Sequence, residues 1–84
     1  MKNLRAKCEE LLEEKNPFAL FADGFDDAII GITASLNPVL CYSVERCIQI
    51  LMKENEIDIE EAEEYFEYNV LGAYMGEYTP IFIL

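Results

Sequence analysis

Ala28-Ile29-Ile30-Gly31-Ile32-Thr33-Ala34 and Val39-Leu40-Cys41-Tyr42 are two apolar, β-branched runs separated by Ser35-Leu36-Asn37-Pro38. Branching at Cβ restricts χ1 and suits a pleated strand. Ser, Asn and Pro side by side favour a turn, through local side-chain hydrogen bonds and a fixed φ. The stretch therefore predicts a β-hairpin. Ala28–Thr33 alone also fits a helical segment, because a short apolar run has no decisive period.

Outward from the hairpin, Ser43 is placed to cap a helix running to about Asn55, with Val44, Cys47, Ile48 and Leu51 as its apolar stripe. Asp58 followed by Glu61 resembles a capping box, with Asp in place of Ser or Thr. It predicts a helix from Ile59 to about Leu71 or Tyr74, stopped by Gly72 and Gly76. Thr79-Pro80-Ile81-Phe82-Ile83-Leu84 reads as a strand, with Pro80 at its start where a missing N–H is tolerated. On the other side, Asn3–Asn16 predicts an amphipathic helix with Leu4, Cys8 and Leu11 on one face and Leu12 at its edge. Pro17 disfavours helical geometry at Asn16 and ends it there. Residues 17–27 connect helix and hairpin around a turn at Gly24, with Phe18, Leu20, Phe21 and Phe25 expected against the core.

The predicted order is α-β-β-α-α-β. The fold class is α+β: a small three-stranded sheet packed by about three helices, in a single domain over 1–84. Within it, residues 1–16 form the N-terminal helix and 17–84 the compact core.

Eighty-four residues with 52% hydrophobic content suffice for one compact core. No apolar run approaches the roughly 20 residues that span a bilayer, and the first residues hold no apolar signal region. The expected location is the cytosol. Cys8, Cys41 and Cys47 are an odd set and read as small buried hydrophobes, not a disulfide framework. The absence of histidine removes the commonest general base and zinc ligand.

Six Lys and Arg face seventeen Asp and Glu, for a net charge of −11. That field disfavours direct nucleic-acid contact and anionic membranes, and it favours a basic partner. The acids concentrate in Glu60-Glu61-Ala62-Glu63-Glu64-Tyr65-Phe66-Glu67. At about 100° per residue, Ile59, Ala62, Phe66, Val70 and Ala73 share one side, and Glu60, Glu64 and Glu67 the opposite side. Such a row is either a solvated face or a strip that docks on a basic groove. Asn69 falls beside Ala62 and Phe66 on this wheel, which predicts a structural amide bonding a nearby loop. Tyr65, Tyr68, Tyr74 and Tyr78 cluster within fourteen residues, near Met75 and Glu77. Beside acids, an aromatic patch suits an Arg-rich partner, and it equally suits tyrosines half-buried with wet hydroxyls.

Asp23-Gly24-Phe25-Asp26-Asp27 lacks the ligand order of a calcium loop and reads as turn and cap residues. No phosphate-binding glycine loop is present. No catalytic residues, metal ligands or cofactor are assigned, and the chain is expected not to be an enzyme.

Several segments together resemble a family. They are Gly24-Phe25-Asp26-Asp27-Ala28-Ile29-Ile30-Gly31, then Val39-Leu40-Cys41-Tyr42 with Cys47-Ile48, then Glu61 to Asn69, and Gly72 to Pro80. Over about residues 22–84 they look like a group of short uncharacterised proteins of bacteriophages and prophage-bearing bacteria. Ser43 stands where that pattern has an acidic residue after the tyrosine. The resemblance implies phage origin and carries over no activity or site residue.

Joined to the charge, it points to a non-enzymatic protein-binding module that blocks the basic, nucleic-acid-binding surface of a host protein. Glu60, Glu64 and Glu67 would supply charge, and Tyr68, Tyr74 and Tyr78 the anchors. Two alternatives stand beside it: an oligomeric protein that sequesters a small molecule or nucleotide, and a structural or assembly protein that self-associates through its apolar C-terminal strand.

Overall fold

The structure is a computed structural model that describes residues 4–73 and 76–84. Its elements are α1 (Arg5–Lys15), a 3-10 turn (Asp26–Ala28), β1 (Ile29–Ile32), β2 (Leu40–Ser43), α2 (Val44–Asn55), α3 (Ile59–Tyr65) continued by a π-helical segment (Phe66–Leu71), and β3 (Ile81–Ile83). The fold is α+β in the order α-β-β-α-α-β.

The two apolar runs pair antiparallel, Ile29 opposite Tyr42 and Ile32 opposite Leu40, with a bulge between Ile29 and Gly31. β3 then joins β2 in parallel, Cys41 opposite Ile81 and Ser43 opposite Ile83. The sheet is mixed, in the order β1-β2-β3. A parallel neighbour requires a crossover, and α2, α3 and the π-helical segment supply it.

Alternation along β2 sorts the faces. Leu40 and Tyr42 are fully buried, and Ile29 and the half-buried Phe82 share their side through the register. Phe82 stacks on Tyr42 with centroids 5.5 Å apart, and Phe66 meets Phe82 edge-on at 5.3 Å. These rings, with Cys47, Leu51, Ala62 and Val70, form the core. The Tyr42 hydroxyl accepts the Ala22 N–H at 2.8 Å, which pins the 17–25 connection over the central strand.

Both predicted caps form. Ser43 Oγ accepts the Arg46 N–H at 3.2 Å and Asp58 Oδ1 accepts the Glu61 N–H at 2.9 Å, each satisfying an orphan donor of a first turn. α1 ends at Asn16, which is buried. Its Nδ2 donates to the Pro38 carbonyl at 2.9 Å and its Oδ1 accepts the Phe18 N–H, tying the helix end to the start of β2. At the other end Arg5 bonds Asp26 at 2.8 Å and lies over the Phe21 ring, 4.2 Å from its centroid.

Several expectations on individual side chains are corrected. Cys8 and Leu12 are the buried residues of α1, while Leu4 and Leu11 are exposed, so the contact stripe lies one position round from the predicted face. Phe25 is buried and Phe21 partly so, but Phe18 and Leu20 are exposed. Phe18 packs instead on Tyr78, at 6.1 Å between ring centroids. Cys41 is half-buried, whereas Cys8 and Cys47 are buried as expected.

Glu56 closes α2 in the left-handed region, at φ 52°. An L-residue there clashes with its own carbonyl, at about 1–2 kcal/mol. Glu56→Gly removes the clash and adds some freedom to the unfolded chain. The net expectation is a gain of about 0.5–1 kcal/mol in urea denaturation. A loss would show that the Glu56 side chain holds something its backbone strain conceals.

Candidate functional site

Glu60 and Glu64 stand on α3, and Glu67 and Tyr68 on the π-helical segment that continues it. All four are exposed. The inward face of this rod is Ala62, Phe66 and Val70, spaced by four. On an α-helix each step of four overshoots a full turn by about 40°, so Ala62, Phe66 and Val70 would spread over about 80° of the inward side. The i→i+5 bonding of a π-turn widens the turn and brings the spacing of four back toward alignment. Val70 is buried along with Ala62 and Phe66. Ile59 and Ala73, placed on the apolar side by the wheel, are exposed instead.

The same widening turns Asn69 outward, and it is exposed. The expectation of a structural amide beside Ala62 and Phe66 is thus corrected: the wheel assumed an α-helical period where the backbone is π-helical. Asn69 joins Glu61, Glu64, Tyr65 and Tyr68 around an open cleft of about 270 Å³. Tyr65 and Tyr68 are 48% and 75% exposed, so their rings are available on the surface. π-helical turns are rare and are frequent at functional sites.

Around this cleft no Lys or Arg is present among the lining residues. Among the described residues the ion pairs are those of Arg5, with Asp26 and with Glu9, at the far end of the sequence from this helix. The carboxylates of Glu60, Glu64 and Glu67 therefore stand in water without a cation bonded to them among the described residues.

Sequence reasoning and structure agree on only part of this group. Glu64 and Tyr68 come together at one cleft. Glu60 and Glu67 are exposed on the same rod. Tyr78 is half-buried and engaged elsewhere: its ring stacks on Phe18 and its carbonyl accepts the Leu20 N–H at 3.1 Å. Tyr74 lies outside the described residues. Glu61 was not singled out, Tyr65 was placed in the tyrosine patch but not among the anchors, and Asn69 was read as structural. No local signal could have found the π-helical geometry, because an α-helical wheel already places Ala62, Phe66 and Val70 within about 80° of one another.

A second cleft, of about 480 Å³, opens between the 24–27 turn and α2, lined by Gly24, Asp26, Asp27, Ile50, Lys53 and Glu54. Three carboxylates against one ammonium make it a poor receiver for an anion. Among the described residues no group of three or more Cys, Asp or Glu is placed to hold a metal ion. None of the described helices is long and apolar enough to cross a membrane.

Fold and surface together define a small acidic α+β protein that displays an acid- and tyrosine-bearing helix over a mixed sheet. Comparison with protein-family models, with curated proteins and with solved structures finds no match to this chain.

Proposed function

We propose that the chain is a non-enzymatic, phage-type module that binds a basic protein through the outward face of α3 and its π-helical continuation. One observation supports this more than any other. Glu60, Glu64 and Glu67 are exposed and bonded to no cation among the described residues, next to the exposed Tyr65 and Tyr68. A row of like charges with no internal partner repels itself, and a cationic surface relieves that repulsion. The tyrosines add ring faces for guanidinium groups. A partner with these properties uses the same groups to hold nucleic acid, so occupancy by this chain blocks that use.

Capture from bacterial lysate at low and high salt, followed by displacement of nucleic acid from the captured protein, tests the reading. Replacing Glu60, Glu64 and Glu67 by Gln is expected to weaken binding about tenfold or more at low salt, since each rim charge contributes up to roughly 1 kcal/mol. Tyr68→Ala weakens it further at any salt. A partner whose affinity ignores both salt and these substitutions counts against the electrostatic reading.

A further inference from the structure

Three clefts follow one another along the 24–27 turn, α2 and the π-helical rod. The first, of about 480 Å³, and the second, of about 340 Å³, share Gly24, Ile50 and Glu54 as walls. The second and the third, of about 270 Å³, share Tyr65 and Asn69. Clefts with common walls lie end to end, so together they make one groove. At the first junction Gly24 is exposed, and a Cβ built on it would meet nothing within 4 Å, so the space there is open. The middle of the groove has an apolar floor, with Ile50 half-buried and Leu51 and Val70 buried. Its rim is acidic from end to end, through the exposed Asp27, Asp23, Glu54, Glu61 and Glu64. Asp26 also lines it but is bonded to Arg5. Among the described residues Lys53 is the base on these walls. Past Asp27 the surface turns cationic at Arg46 and Lys53, which ends the acidic stretch.

We infer that this groove takes an extended segment of the basic partner, a stretch of loop or tail that carries Arg with an aliphatic residue beside it. The inference rests on the binding of a basic protein proposed above, and it names the part of that protein that docks. Charge and shape select the occupant together. The exposed carboxylates outnumber the one ammonium and favour a cation. They line a groove, and a chain in extended form alternates its side chains, so one reaches the floor while its neighbours meet the rim. In the third cleft a guanidinium finds Glu61 and Glu64 for ion pairing and the rings of Tyr65 and Tyr68 for stacking. An aliphatic neighbour then reaches Ile50 in the second. About eight extended residues span about 26 Å, within the 39 × 30 Å breadth of the molecule.

Titrating the isotope-labelled full chain with a synthetic, unstructured peptide of about eight residues, built from Arg, Leu and Gly, tests the groove by backbone-amide NMR. The amides of Gly24, Ile50 and Glu54 should shift on the same isotherm as those of Tyr65 and Asn69. Glu54→Lys places an ammonium at the junction of two clefts, and a base in the last turn of α2 suits the helix dipole, so the fold is kept. It should raise the dissociation constant about tenfold. Glu10→Lys, an equal change of charge at an exposed site on α1, should raise it less than about twofold. Should Glu54→Lys fail to fold, Glu54→Gln replaces it, with a rise of about threefold expected. Shifts confined to Glu60, Glu64, Glu67 and Tyr68, or equal effects of the Glu54 and Glu10 variants, overturn the groove and leave the basic-partner reading standing. Shifts confined to α1 overturn both. No shift at about 10⁻³ M peptide overturns the groove, and capture of an intact basic protein then decides the broader reading by itself.

Discussion

Tyr42→Ala is expected to leave the chain largely unfolded at room temperature. The side chain is fully buried on the central strand, stacked on Phe82, with its hydroxyl accepting the Ala22 N–H. Truncating a buried aromatic to Ala costs about 3–5 kcal/mol, through lost transfer energy and an unfilled cavity. A domain of 84 residues has a stability toward the low end of about 5–15 kcal/mol, so little remains. Tyr42→Phe separates packing from the hydrogen bond. The ring stays and the Ala22 N–H, at a fully buried residue, is stranded, for a loss of about 1–3 kcal/mol. Urea denaturation followed by far-UV circular dichroism measures both. A Tyr42→Ala protein within about 1 kcal/mol of the parent would contradict the packing described for the central strand.

Alkaline pH is expected to unfold the protein through Cys47. Burial pushes this thiol from its ordinary 9.0 up to about 12. Cys47 is fully buried on α2, so the folded chain holds a proton that the unfolded chain releases. Between those two values the unfolded state binds fewer protons, and stability falls as pH rises. The contribution is complete below pH 9.0 and is lost by about pH 12. Its slope reaches about 1.4 kcal/mol per pH unit. Cys47→Ala is less stable at neutral pH, because it opens a cavity, yet its decline with alkaline pH should be shallower by one proton. Equal slopes for the two proteins would mean that the thiol is reachable by water. Cys8 and Cys41 shift in the same direction, also through burial first.

Local signals were legible in the sequence because their causes are local. The hairpin followed from two β-branched runs around Ser35–Pro38, and the helix starts from Ser43 and Asp58, each bonding a backbone N–H three residues on. The stop of α1 followed from Pro17. The parallel pairing of β3 with β2 was not legible, since it joins residues about forty apart that nothing local brings together. The burial of Leu12 in place of Leu4 and Leu11 depends on how α1 lies against its neighbours, which a helical wheel does not contain. Phe18 and Leu20 were expected inside by composition, but Ala19, Phe21 and Ala22 face the core in their place, with Ala22 held by the Tyr42 hydroxyl.

The candidate site was legible in its charge and not in its geometry. Glu60, Glu64, Glu67 and Tyr68 were chosen on an α-helical wheel and are exposed. The π-helical turns move Asn69 out and bring Tyr65 and Tyr68 around one cleft with Glu61 and Glu64. Tyr78 went to Phe18 because residues 76–80 run back beside the 17–20 connection, a tertiary fact with no local signature.

The acidic helix competes with another acidic surface, since Glu9, Glu10, Glu13 and Glu14 of α1 are exposed as well. Net charge alone would let a cation settle on either. Titrating the isotope-labelled chain with a short Arg-rich peptide and following the backbone amides by NMR distinguishes them directly. The amides of Glu60, Glu64, Tyr65, Glu67, Tyr68 and Asn69 should shift together and the shifts fade as salt is raised, with α1 little changed. Shifts spread evenly over α1 and α3, or confined to α1, would contradict a binding face on the π-helical rod.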